Sequence, residues 1–218
     1  MQTAGTALVV VAHHRPDSLT VHIGERVASR LAEAGFEVDV LDLHREHFDP
    51  RMNVEDQPDW SDRDKVYSEL TRSHQDRLLA ADVIVPVFPV YWFSVPAILK
   101  GWIDRVWGYG FAYGRSQPRL AGKRMLWLGL AGTSAEDPMS PKMHQAIEEQ
   151  LRDGVSYFCG IAEAGVEVLF GSEAQPQTVD EQGTLIVGEP LEGAEREAFY
   201  ADFGREATGH VEKFFSLS

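Results

Sequence analysis

The sequence has little cysteine and lacks any long apolar run. Cys159 is the single cysteine in 218 residues, which excludes an intrachain disulfide framework and a cysteine-rich zinc site. Its apolar surroundings favour a small buried core residue over a reactive thiol. No apolar stretch reaches the roughly 20 residues that span a bilayer, and the first five residues lack the charged start of a signal peptide. We therefore expect a cytoplasmic protein without an integral membrane segment.

Basic residues are scarce, and several common site motifs are missing. Lysine and arginine number 20 against 34 acidic residues, for a formal net charge of −14. This charge repels a phosphate backbone, so nucleic acid is not an expected partner. The chain has no G-x-x-x-x-G-K-[ST], no G-x-G-x-x-G and no G-x-S-x-G, which excludes the usual P-loop, Rossmann and α/β-hydrolase signatures. His44 and His47 lack companion ligands, which favours a surface loop over a metal site.

Apolar runs alternate with amphipathic helical patterns along the chain. The runs predict strands at 7–11, 38–41, 83–88, 125–128 and 166–170, with a short hairpin around 185–187. Apolar positions about four residues apart predict helices at 19–31, 95–107, 143–155 and 199–214, and a further helix is predicted at roughly 63–80. Pro86 falls inside the third strand, where it cannot donate to a ladder. The alternation predicts a single α/β domain over residues 1–218, with a parallel sheet covered on both faces.

Ligands of open α/β sheets bind beyond the carboxyl ends of the strands, so the loops after strands one, three and four are candidates. In the first loop, Ser18 and Thr20 offer hydroxyls at a helix start that favours an anion. The alternative is that Asp17 or Ser18 merely caps the helix. In the second loop, Tyr91, Trp92 and Phe93 can form a wall for a flat ring. The alternative there is a buried contact between sheet and helix.

One stretch of about 26 residues resembles a known family. The residues 88–106, FPVYWFSVPAILKGWIDRV, and the following Gly110-Phe111-Ala112-Tyr113 resemble the signature of the DT-diaphorase-like NAD(P)H:quinone oxidoreductases. Relatives of that family include bacterial drug-activity modulators and accessory subunits of potassium-efflux systems. Ala12-His13, the stretch 42–50 and Tyr157-Phe158-Cys159-Gly160 also fit, so the likeness covers most of residues 7–170. It implies a flavodoxin-like, doubly wound five-stranded parallel sheet of order 2-1-3-4-5, and a homodimer with the active site at the interface.

The resemblance also implies roles for residues of the three loops. The flavin phosphate and ribityl chain would be cradled by His13, Asp17, Ser18, Leu19 and Thr20. The isoalloxazine would be lined by Pro89, Val90, Tyr91, Trp92 and Phe93. Its edge would be closed by Ala131, Gly132 and Thr133. Here Leu130-Ala131-Gly132-Thr133 departs from the Thr-Thr-Gly-Gly of the family, so side-chain hydroxyls are lost from the first two positions.

Two further residues are candidates for catalysis. Tyr113 matches an aromatic that reaches the active site from the other subunit, where it would bind substrate together with Trp92 and Phe93. The alternative for Tyr113 is ordinary packing. His144 is the candidate for stabilising charge on the reduced flavin, since histidine is a common proton donor and acceptor in catalysis. The alternative for His144 is a surface residue.

By resemblance, the chain would be a flavin-dependent enzyme holding FAD or FMN. It would pass a hydride from NAD(P)H through flavin N5 to a quinone or a similar flat acceptor, in ping-pong fashion. The polar excursion 44–63 favours FAD, because a comparable loop accompanies FAD in related reductases. One alternative is a regulatory flavoprotein subunit of a cation-efflux transporter. Another is a non-catalytic electron carrier, against which the aromatic loop argues, because a carrier needs no substrate cavity.

Overall fold

A parallel sheet forms the centre of the molecule. The computed structural model describes residues 4–175, 177–179, 182 and 184–217. In this part of the chain the main sheet has the order β2-β1-β3-β4-β5, with every pair parallel. Its strands are β1 (Gly5–Val11), β2 (Phe36–Asp42), β3 (Val83–Pro89), β4 (Arg124–Ala131) and β5 (Glu163–Phe170). The predicted flavodoxin-like topology is confirmed.

Helices cover both faces of this sheet. One face packs against α1 (Leu19–Glu33) and α5 (Gly193–Phe215); the other packs against α2 (Glu69–Ala80), α3 (Ala97–Val106) and α4 (Ser140–Glu148). Alternate residues of each strand face the two cores, as for Leu8 on one side and Val9 on the other. Of the helices described, none combines the length and apolar character that a bilayer crossing requires. The predicted hairpin is present as β6 (Gln177–Val179) and β7 (Leu185–Val187).

Pro86 interrupts a ladder without ending its strand. Both Val85 and Pro86 pair with β1, but the register of β3 with β4 skips these two residues. Because proline has no N–H to donate, we attribute the gap on the β4 side to Pro86. The strand continues to Pro89 and delivers the second loop to the carboxyl edge of the sheet.

The polar excursion is longer than the sequence suggested, because α2 begins at Glu69 and not near residue 63. Ser68 caps the helix, and its Oγ accepts a hydrogen bond from the Thr71 N–H at 3.2 Å. The buried Asp56 carboxylate accepts from the Ser68 N–H at 2.9 Å and from Ser68 Oγ at 3.0 Å. Asp56 also forms a 2.7 Å salt bridge with Arg105 of α3. These contacts fasten the excursion to the face that carries α2 and α3.

The fourth helix is not uniformly α-helical. After α4 the chain winds into a π-helical segment, Glu149–Ser156. The apolar spacing of four from Met143 to Leu151 exceeds the 3.6 residues of an α-turn, and wider turns keep Leu151 fully buried. The same segment places Gln150 near the second loop, where its Oε1 accepts from Ser94 Oγ at 2.9 Å.

Candidate active site

A cleft of about 650 Å³ opens at the carboxyl edge of the sheet, where β1, β3 and β4 end. This is within the usual volume range of small-molecule sites. The predicted loops supply His13, Ser18, Leu19, Thr20, Pro89, Val90, Tyr91 and Gly132 to its lining, together with Arg15 and Leu130. The fold therefore brings most of the predicted cofactor residues to one place.

The first loop presents the start of α1 to the cleft. Ser18 is the N-cap, and its Oγ accepts from the Val21 N–H at 3.2 Å, so the preceding N–H groups of the first turn stay available. The first turn contains no acidic side chain. His13 Nδ1 accepts from the Arg15 N–H at 3.0 Å, which leaves Nε2 as the protonated nitrogen of a neutral ring. Burial, and then the neighbouring His14, lower the pKa of His13. The arrangement suits an anionic group.

Asp17 supports this loop from behind the cleft lining. Its carboxylate pairs with Arg15 at 2.9 Å, and its backbone carbonyl accepts from Arg196 at 2.5 Å and from the Tyr200 hydroxyl at 3.2 Å. The Arg15 hydrogen bond lowers the pKa of Asp17 to about 2. Asp17 thus ties the first loop to α5, and a carboxylate is itself a poor ligand for a phosphate.

The second loop ends in a tight turn with an unusual backbone. Tyr91 and Ser94 exchange two backbone hydrogen bonds, of 2.9 and 3.1 Å. The two residues between them, Trp92 and Phe93, have φ angles of 51° and 61°. This left-handed region costs about 1–2 kcal/mol for a residue with a side chain. Phe93 packs against the core, whereas Trp92 is 97% exposed. Pro89, Val90 and Tyr91 form the wall of the cleft, and Trp92 projects away from the body of the chain.

The third loop contributes mainly backbone. Ala131 is buried, and its carbonyl accepts from the Ser172 N–H at 3.0 Å; the Thr133 carbonyl accepts from the Gly171 N–H at 2.8 Å. Of the three residues predicted here, only Gly132 lines the cleft. The adjacent Leu130 carbonyl accepts from the Val90 N–H at 2.7 Å, which joins the second and third loops.

The sequence analysis did not predict a further part of the cleft lining. It consists of the segment after β5 and the first turns of α5: Ser172, Glu173, Ala174, Gln175, Pro190, Leu191, Glu192, Gly193, Arg196 and Tyr200. Arg196 lies over the Tyr200 ring, 4.9 Å from its centroid. Arg196 and Tyr200 are four residues apart near the start of α5, so the sequence could have shown that they share one face of a helix. It could not have shown that this helix start lies beside the cleft.

Two predicted catalytic residues do not line the cleft of the single chain. Tyr113 is partly buried, with ring centroids of Tyr109, Phe158 and Trp60 within 6.2 Å. Burial raises its pKa. His144 lies on α4.

The candidates for a nucleophile and for metal ligands remain. Cys159 is buried, which raises its pKa to about 12 and keeps the thiol protonated. Within the described ranges, His, Cys, Asp and Glu side chains form no cluster that could hold a metal ion.

Comparison with known proteins agrees with this geometry. Residues 6–184 match a family model described as having a flavodoxin-like fold. The chain belongs to this family. A member from Escherichia coli, named as the uncharacterized NAD(P)H oxidoreductase YcaK, is 41% identical over 161 residues, 74% of this chain and 81% of its own. Human ribosyldihydronicotinamide dehydrogenase [quinone] is 30% identical over 190 residues, which cover 76% and 81% of the two chains.

Solved structures show the same flavodoxin-like fold. The NAD(P)H:quinone oxidoreductase from Methanothermobacter marburgensis superposes with a TM-score of 0.75 at 23% identity, over 94% of this chain and 95% of its own. General stress protein 14 of Treponema denticola, solved in complex with FMN, gives a TM-score of 0.63 at 17% identity, over 98% and 99% of the two chains. At these identities the likeness concerns the fold alone.

Proposed function

We propose that this flavodoxin-like protein is a flavin-dependent NAD(P)H:quinone oxidoreductase. The observation that carries the proposal is the cleft, which combines an anion-binding helix start with an aromatic turn at the carboxyl edge of the sheet. The names of the relatives reported above, NAD(P)H oxidoreductase and quinone dehydrogenase, support it. No observation here favours a subunit of a cation-efflux transporter.

The residues present fit a flavin. Ser18, Leu19 and Thr20 would hold the phosphate at the start of α1, with the Nε2–H of His13 as a further donor. Pro89, Val90 and Tyr91 of the second loop, with Leu130 and Gly132 at the end of β4, would hold the ring. When bound, the flavin supplies the hydride-transfer chemistry between NAD(P)H and the quinone. Asp17 orients Arg15 and Arg196, while Ala131 and Thr133 act through their backbones.

The protein itself would bind and orient the ligands and exclude water from the site, and these tasks need few acid–base side chains. We propose Trp92 and Phe93 as the surface on which the nicotinamide and the acceptor bind in turn. Like Trp92 and Phe93, His144 lies outside the cleft lining of the single chain, and its role in stabilising charge on the reduced flavin stays a prediction.

A homodimer would complete this site. Trp60, Trp92, Tyr157 and Phe158 all expose more than half of their surface, which is unusual for large apolar side chains of a monomer. Tyr113 lies beside two of these side chains, Trp60 and Phe158. We propose that a second copy of the chain covers these exposed side chains and brings Tyr113 to the partner's cleft. Light scattering of the purified protein tests this, and a monomer at micromolar concentration would contradict it.

We propose FAD as the flavin, on grounds other than the excursion 44–63, no described residue of which lines the cleft. Arg196 and Tyr200 of α5 also line the cleft and contact Asp17 beside the start of α1, and they would hold the second phosphate and the adenosine of a dinucleotide. Arg196→Ala is therefore expected to weaken FAD binding by about tenfold or more, and FMN binding much less.

Flavin titration by fluorescence quenching measures both dissociation constants. Arg205→Ala is the matched control, because Arg205 is on the same helix, pairs with exposed Asp202 and lies outside the cleft. Equal losses for FAD and FMN in Arg196→Ala would contradict the proposal of FAD.

The function itself is tested by purification with added flavin. We expect a yellow protein whose cofactor mass identifies the flavin, and which oxidises NAD(P)H when menadione is present. Protein that stays colourless when saturated with both FMN and FAD would overturn the proposed function.

A further inference from the structure

The charged side chains at the two ends of the cleft differ in how they are paired. Around the start of α1, Arg15 and Arg196 both pair with Asp17, at 2.9 and 3.4 Å, and Glu192 also lines the cleft. At the third loop the cleft instead exposes the carboxylate of Glu173, beside Gly132 and Tyr91. Because the proposed function puts the cofactor phosphate at the start of α1, Glu173 would lie at the end of the cleft that takes the ring and the molecule that binds over that ring.

The backbone holds Glu173 at this position. The two preceding residues are bonded to the third loop, through the Gly171 and Ser172 N–H groups at 2.8 and 3.0 Å. The Glu173 side chain then lies over Gly132, so closely that a methyl group on Gly132 would be 2.5 Å from Glu173 Cγ. The Glu173 side chain therefore lies at the third loop, on the lining of the cleft.

The charge of Glu173 is not neutralised. Among the described residues, no lysine, arginine or histidine forms a salt bridge with it. Its field reaches the wall of the cleft: the pKa of Tyr91 is raised, by burial and then by the charge of Glu173. A carboxylate that influences a phenol of the wall also acts on a charged ligand beside that wall.

We propose that Glu173 selects electron acceptors by charge, favouring neutral or cationic flat acceptors over anionic ones. This inference rests on the proposed function and deepens it, because it names the acceptor class of the same site. An unpaired carboxylate repels a sulfonate or carboxylate carried by the acceptor, and it leaves a neutral quinone unaffected. Removal of the Glu173 charge should therefore change the ratio of kcat/KM between anionic and neutral acceptors, and it should change kcat/KM of the neutral acceptor much less.

The test compares a neutral naphthoquinone with its sulfonated analogue in wild type, Glu173→Gln and Glu189→Gln. Glu189 is exposed, lies outside the cleft lining and gives the same change in net charge. We expect Glu173→Gln to raise the kcat/KM of the sulfonated acceptor relative to the neutral one by about tenfold, and Glu189→Gln to leave the ratio unchanged. Added salt of about 0.5 M should narrow the ratio more in wild type than in Glu173→Gln.

Equilibrium binding provides a second readout. The dissociation constant of the sulfonated quinone, measured without NAD(P)H, should fall in Glu173→Gln and not in Glu189→Gln. Equal ratios and equal dissociation constants in wild type and Glu173→Gln would overturn the inference, as would the same change in both variants. A failure of the proposed function looks different, because neither acceptor would then be turned over by any of the three proteins.

Discussion

Replacement of Arg105 by methionine is expected to lower the free energy of unfolding by about 3–5 kcal/mol. The Arg105 side chain is 4% exposed, and the side chain of its partner Asp56 is fully buried. Arg105 Nη2 lies 2.7 Å from Asp56 Oδ2. Arg105 also donates to the Asp49 carbonyl and lies over the Phe48 ring. Loss of the guanidinium leaves a buried carboxylate without its counter-charge, which costs far more than a lost surface pair.

Urea denaturation at neutral pH measures this change. Arg51→Met is the matched control, since Arg51 pairs with Asp49 on the same excursion but is 85% exposed; a loss below about 1 kcal/mol is expected there. The double variant Arg105→Met/Asp56→Leu should recover part of the loss, because no isolated charge remains buried. A loss in Arg105→Met no larger than that in Arg51→Met would show that the pair does not anchor the excursion.

This anchoring explains where sequence reasoning about the fold succeeds and where it stops. The continuous β-branched run of β1 and the period-four pattern of α1 are local signals, and together with right-handed crossovers they restrict the topology strongly. The pair Arg105–Asp56 joins residues 49 positions apart. Its partner could not be chosen before the docking of the excursion on α3 was known, so the start of α2 was misplaced.

The candidate site also has a part that the sequence predicts and a part that it does not. The loops after β1, β3 and β4 were predictable, because the carboxyl ends of parallel strands meet at one edge and the loop residues follow directly. The wall formed by Glu173, Arg196 and Tyr200 depends on the chain returning from β5, as in the 2.7 Å hydrogen bond from the Leu191 N–H to the Ala174 carbonyl. No local pattern in residues 171–200 encodes that return. The resemblance, which is strongest before residue 170, gave no help there.

The second large effect is expected at the tip of the second loop. Trp92→Ala should lower kcat/KM for the neutral quinone by about 10- to 100-fold, since stacking of a flat ring on an aromatic side chain contributes about 1–3 kcal/mol. The free energy of unfolding of the single chain should stay nearly unchanged, because an indole that is 97% exposed makes almost no packing contacts there. Trp92→Phe retains an aromatic face and should recover much of the activity.

A glycine variant separates the function of Trp92 from its backbone conformation. Trp92→Gly removes the indole like Trp92→Ala, but it also relieves the left-handed φ of 51°. It should therefore be about 1 kcal/mol more stable than Trp92→Ala and equally poor in activity. The bridge between Tyr91 and Ser94 holds this strained turn. The result would then mean that the turn lowers the stability of the protein and is kept because activity requires the exposed indole. Wild-type turnover in both variants would remove Trp92 from the substrate surface and leave the strained turn without a function.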